Sequence, residues 1–142
     1  MINTYLFYRQ WTDYTCGPTV LRICVKAFLD ISLSYVKSET LCETNEDGTT
    51  WDNLKRAFRK AGMRIHNINK FSKKEWDSWL EAGYFIVAAD ENTYEESHVL
   101  VVRGKLGNEY QILDPNIGIP FNRDKVETIR SARREAFAVC AK

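Results

Sequence analysis

Apolar residues recur at helical spacing through the first half of the chain and gather into short β-rich runs in the second. The first periodic stretch follows Cys16-Gly17-Pro18, with Leu21, Cys24, Val25, Phe28 and Leu29 forming one stripe. Pro18 fits only a first helical turn, where its missing N–H costs nothing, so the spacing predicts a helix beginning at or next to Cys16. Ser34 is placed to cap a short helix over 35–42, with Tyr35, Val36 and Leu41 available for burial, and the turn Asn45-Glu46-Asp47-Gly48 follows. Thr49 or Thr50 caps a third helix over 51–61, carrying the stripe Trp51, Leu54, Ala57, Phe58 and Ala61 and ended by Gly62. Its other face holds Lys55, Arg56, Arg59 and Lys60 and reads as solvated. Residues 1–9, rich in Tyr, Phe and Ile, read as an extended arm or short strand, and 63–69 as a strand carrying Ile65 and Ile68. Ser72-Lys73-Lys74-Glu75 has the form of a capping box and opens a helix through Trp76, Trp79 and Leu80 that stops at Gly83.

Three β-rich runs follow, over 84–89, 98–103 and 109–113, the last two joined by a hairpin turn at 105–108. Asp114-Pro115 ends the third run because proline cannot continue a ladder, and Gly118 and Pro120 keep the next loop irregular. A helix over 123–132 and a strand over 136–140 complete the chain. Helices first and strands afterwards predict an α+β fold, an N-terminal helical half packed on a C-terminal antiparallel sheet, in one domain over 1–142.

Composition adds mainly exclusions. A hydrophobic fraction of 44% supplies a real core, and a net charge of +1 provides no field for nucleic acid or an anionic membrane. No secretion signal or membrane-spanning run is evident, so a cytoplasmic location is expected. The 4 cysteines, Cys16, Cys24, Cys42 and Cys140, are too sparse for a disulfide framework and are expected to be reduced.

The candidate chemistry centres on Cys16. A thiol at a helix start faces unpaired N–H groups and the positive end of the dipole, which favours the thiolate. The backbone N–H of Cys16 lies close to any oxyanion formed by attack of its own sulfur, and Gln10 can carry its side-chain amide back to the same place. A buried, inert cysteine is the competing use of the same segment. His98 begins a strand, and the hairpin returns Asp114 beside it, which is the arrangement of a base and its orienting group. A solvent-facing histidine and a turn-forming aspartate are the plain alternatives. Trp11, Tyr14 and Tyr94 are candidates for lining a recognition groove, against ordinary use in a core. Cys16, His66 and His98 lack ligand pairing at zinc-like spacing, so no metal is expected, nor any cofactor.

Gln10 through Cys16-Gly17-Pro18, the helix after it, the segment from Gly48-Thr49 to Gly62, His98-Val99-Leu100-Val101-Val102, and Asp114-Pro115 followed by Gly118 together resemble the C39 cysteine peptidases. These are papain-like domains that process peptides behind double-glycine leaders in bacteriocin exporters. The resemblance implies a papain-like fold and a peptide or protein substrate. It implies Cys16 as nucleophile, His98 as general base and acid, Asp114 as the group orienting His98, and Gln10 as oxyanion donor. The exporter peptidases usually carry Asp immediately before the cysteine, where this chain has Thr15. A thiol transferase or deamidase using the same thioester, and a silent peptide-binding module of the same fold, remain open at this level.

Overall fold

The computed structural model describes residues 4–91 and 98–142. Helices α1 (Cys16–Leu29), α2 (Tyr35–Cys42) and α3 (Trp51–Lys60) precede strand β1 (Met63–Asn67) and helix α4 (Lys73–Glu81). Then come β2 (Phe85–Asp90), β3 (His98–Leu106), β4 (Glu109–Leu113), β5 (Phe121–Asp124), α5 (Lys125–Ser131) and β6 (Ala136–Ala141). The strands form one sheet in the order β1-β6-β2-β3-β4-β5, every neighbouring pair antiparallel.

Caps explain most of these boundaries. The side chains of Ser34, Thr50, Ser72 and Asp124 each accept the backbone N–H three residues on, satisfying one of the orphan donors of a helix start. The central strands are apolar on both sides because both sides are covered. Val87, Val99, Val101, Leu113, Phe137 and Val139 pack against α1, α2 and α3. Ile86, Ala88, Leu100, Val102, Ile112 and Ala138 face the opposite way, in a core with Trp76 of α4 and Ile129 of α5. The helical half therefore packs on the sheet as expected, and α4 and α5 close the other face.

Several local expectations change. Residues Thr4–Phe7 form a 3₁₀ turn, not a strand, and contribute no buried side chain. Tyr35 and Val36 are 52% and 74% exposed, because the buried side of α2 is made by Ser38 and Cys42. The hairpin strand β3 runs on to Leu106, shortening the turn to Gly107-Asn108. The segment expected to be irregular contains the edge strand β5, and Asp124 then caps α5. Its 4 residues are too few for alternation to stand out.

Cys24 lies wholly inside the core on α1, and burial pushes its thiol well above the usual range. It serves packing. Cys24→Ala is expected to lower unfolding free energy by about 1 kcal/mol in a denaturant titration while leaving reactivity at Cys16 unchanged.

Candidate active site

Cys16 is the first residue of α1, as the position of Pro18 requires, and is partly exposed. The adjoining Gly17 has no room for a side chain: a Cβ there would sit 2.7 Å from Thr49 Oγ1. The start of α1 is thus seated directly against the turn before α3, and Thr49 is held by a 2.7 Å hydrogen bond between its hydroxyl and that of Thr44.

His98 opens β3 and Asp114 follows the end of β4. His98 Nε2 and Asp114 Oδ1 are 2.5 Å apart, and the two side chains keep 14% and 11% of their exposure. The hairpin that carries the two residues contains a β-bulge. Near the turn Leu106 pairs with Glu109 and Gly104 with Gln111; beyond a register shift Val102 pairs with Ile112 and Val101 with Leu113. Asp114 is the residue just beyond this paired ladder.

Asp114 is fixed from several sides. Its Oδ1 accepts the Asn116 N–H at 2.9 Å, and its carbonyl accepts from Ile117 and Gly118. Gly118 has φ +75°, and a Cβ on it would lie 3.0 Å from Arg9 Cβ, so this turn and the N-terminal arm meet at a glycine. The Gln10 N–H donates to Pro115 O at 2.9 Å, joining the loop before Cys16 to the turn after Asp114.

The electrostatics follow from this enclosure. Burial disfavours the His98 imidazolium, but hydrogen bonds to Asp114 and Cys16, with the charges of both, outweigh it and push His98 up to about 10. With Nε2 given to Asp114, Nδ1 is left for the sulfur of Cys16. Cys42 lies close behind, its thiol pushed up to about 12 by burial and by Cys16. The arrangement can hold a thiolate beside an imidazolium, the state from which a cysteine attacks a carbonyl.

The site opens into a cleft of about 600 Å³ whose lining includes Gln10, Tyr14, Cys16, Trp51, His98 and Asp114. Gln10 Nε2 donates one N–H to Thr12 O at 2.8 Å. Its Oε1 is buried and accepts no hydrogen bond among the described residues. Tyr14 is among the lining residues of the cleft, whereas Trp11 is not. The Trp11 ring stacks on Tyr35 at 4.2 Å, and its Nε1 donates to Glu39 at 2.7 Å. Tyr94 lies outside the described residues. His66 sits exposed on β1, stacked on Trp79. Sequence reasoning misses the carboxylates of the wall, Asp13, Glu46, Asp47 and Glu135; only their excess in the turn 45–48 hints at them. It also gives Thr15 no role of its own, although this side chain is completely buried at the foot of Cys16.

The model of the peptidase C39 family matches residues 4–127. The chain belongs to the peptidase C39 family. This is a family of cysteine peptidases. Among solved structures, the chain is similar to the peptidase domain of Streptococcus ComA, described as a bi-functional ABC transporter involved in a quorum sensing pathway. That match has 23% identity and a TM-score of 0.82, and covers 97% of this chain and 99% of that one. A double glycine motif protease from an AMS/PCAT transporter, solved in complex with the leader peptide, is 20% identical with a TM-score of 0.69, covering 93% and 86% of the two chains. The peptidase domain of Streptococcus mutans ComA is 21% identical with a TM-score of 0.69, covering 96% and 99%. At these identities the structures share the fold. No curated protein matches the chain in sequence. Among the described residues of this C39 chain, no helix is long and apolar enough to cross a membrane.

Proposed function

We propose that this C39 chain hydrolyses a peptide amide bond through a thioester on Cys16. The observation that carries the reading is the meeting of Cys16, His98 and Asp114 at the floor of one open cleft. His98 takes the Cys16 proton, and the thiolate sulfur bonds to the substrate carbonyl carbon as the carbonyl π pair moves onto oxygen. The oxyanion accepts from the Cys16 backbone N–H and from the second N–H of Gln10 Nε2, the one not given to Thr12. Collapse breaks the C–N bond, and the imidazolium hands its proton to the leaving amine. Water, deprotonated by His98, then attacks the thioester and returns the thiol. Asp114 keeps Nε2 occupied, so that Nδ1 faces the sulfur throughout.

The leader peptide bound to the AMS/PCAT protease supports a leader-type peptide as substrate. Apart from Asp114, the charged side chains of the wall are the carboxylates of Asp13, Glu46, Asp47 and Glu135, with no Lys or Arg among the described lining residues. Peptides with basic residues near the scissile bond therefore fit better than acidic ones. Mass spectrometry of products from a mixed set of leader-type peptides tests the reading. Two fragments that sum to substrate plus water support it, and a mass shift of an unbroken peptide replaces it with transfer or deamidation.

Gln10→Ala is expected to lower kcat about 10²–10³-fold, the usual consequence of losing one oxyanion donor, with little change in KM. Steady-state kinetics on a cleaved peptide checks this. An unchanged kcat removes Gln10 from the mechanism.

A further inference from the structure

We infer that Thr15 is a positioning residue for the Gln10 amide, acting through the carbonyl of Thr12. The assignment rests on Cys16 and Gln10 acting as proposed above. Thr15 is completely buried, and its hydroxyl gathers the loop before Cys16 onto itself. Oγ1 accepts the N–H of Trp11 at 3.2 Å and of Thr12 at 3.0 Å, and donates to Thr12 O at 3.2 Å. The Thr12 hydroxyl also lies 3.1 Å from Thr15 Oγ1, and it accepts the Tyr14 N–H. Thr12 O is also the acceptor of Gln10 Nε2, at 2.8 Å. The Thr15 hydroxyl, with the Thr15 backbone N–H at 3.5 Å, thus holds the carbonyl that holds the amide.

A hydroxyl suits this role because it is donor and acceptor at once. It satisfies two backbone N–H groups of a half-buried turn, and it supplies a hydrogen to the carbonyl they flank. A carboxylate here would accept the same N–H groups but donate nothing to Thr12 O. Valine, of nearly the same shape, would do neither. The far side of the residue is anchored as well, since Thr15 O accepts the N–H and hydroxyl of Thr19 inside the first turn of α1. The loop end bearing Gln10 and the helix start bearing Cys16 therefore share one fixed point. Its loss would displace the amide relative to the sulfur, and small displacements of a preorganised donor are costly to acyl transfer.

Two reactions at the same sulfur separate positioning from general structural damage. Acylation by p-nitrophenyl acetate passes through a tetrahedral oxyanion, whereas alkylation by iodoacetamide displaces iodide at a saturated carbon and forms none. Both rates are taken over the Cys16→Ala background. Thr15→Val is expected to slow acylation about tenfold or more while alkylation stays within about twofold. Thr15→Ser, which keeps the hydroxyl, should restore acylation to within about threefold of wild type. In a Gln10→Ala background, Thr15→Val should add less than about twofold, because the amide it serves is gone. Acylation by Thr15→Val at the wild-type rate overturns the assignment. So does a parallel loss of alkylation, or an equal penalty with and without Gln10. Should Thr15→Val fail to fold, the ratio of acylation to alkylation in Thr15→Ala against Thr15→Ser separates the same two cases. A Cys16→Ala variant that acylates like wild type defeats the underlying mechanism, whereas an inert Cys16→Ala with a fast Thr15→Val defeats only the role of Thr15.

Discussion

Cys16→Ala is expected to lower kcat for peptide cleavage by about a millionfold, the scale on which removing a nucleophile from an acyl-transfer triad acts. The loss is large because, among the described residues, no other thiol lines the cleft. Cys24 and Cys42 are buried with thiols pushed up by burial, and neither lines the cleft. The fold should survive: Sγ sits at a partly exposed helix start, outside the fully buried set, and His98 keeps its bond to Asp114. Circular dichroism melting of the variant should therefore match wild type within a few degrees, while intact-mass measurement after p-nitrophenyl acetate shows no adduct above the other thiols. Substantial peptide cleavage by a clean Cys16→Ala preparation would remove the thioester mechanism altogether. The contrast with Cys24→Ala is part of the test, since that variant is expected to lose stability and keep the adduct.

What the sequence reveals about this site depends on how local each determinant is. The start of α1 is legible because Pro18 and the apolar stripe behind it speak for themselves within a dozen residues. The caps Ser34, Thr50 and Ser72 are legible for the same reason. Asp124 also stands three residues before a glutamate, Glu127, whose N–H it accepts, but the short strand β5 ahead of it blurs the boundary. The placement of Trp11 is unreadable in principle, because the groups that claim it, Tyr35 and Glu39, reach it only through the packing of α2 beside α1. Arg22, stacked over Tyr8 and Tyr35, belongs to the same non-local cluster. The meeting of His98 with Asp114 is expected from the hairpin alone, whereas the register shift between Val102 and Gly104 is hinted at only by a glycine inside the strand.

His98→Ala is expected to match the loss at Cys16, about a millionfold in kcat, because nucleophile and base act as one unit. The pH dependence gives the more searching test. Burial works against the charged ring, yet the bonds to Asp114 and Cys16 overcome it and push His98 from its ordinary value of 6.5 up to about 10. A group whose pKa rises on folding contributes stability that is fully present below its unfolded value and fades as pH climbs through its folded value. The melting temperature of wild type should therefore fall between pH about 6.5 and about 10 by an amount missing from His98→Ala. Activity should follow the same proton: amide cleavage needs the imidazolium to protonate the leaving amine, so kcat/KM should decline as pH passes about 10. Asp114→Asn keeps an acceptor for Nε2 but removes the charge, so its alkaline limb should move to lower pH while the ring stays oriented. An alkaline limb that does not move in Asp114→Asn would mean that the carboxylate does not hold the proton on His98, and turnover by His98→Ala within about tenfold of wild type would leave the thiol without its base.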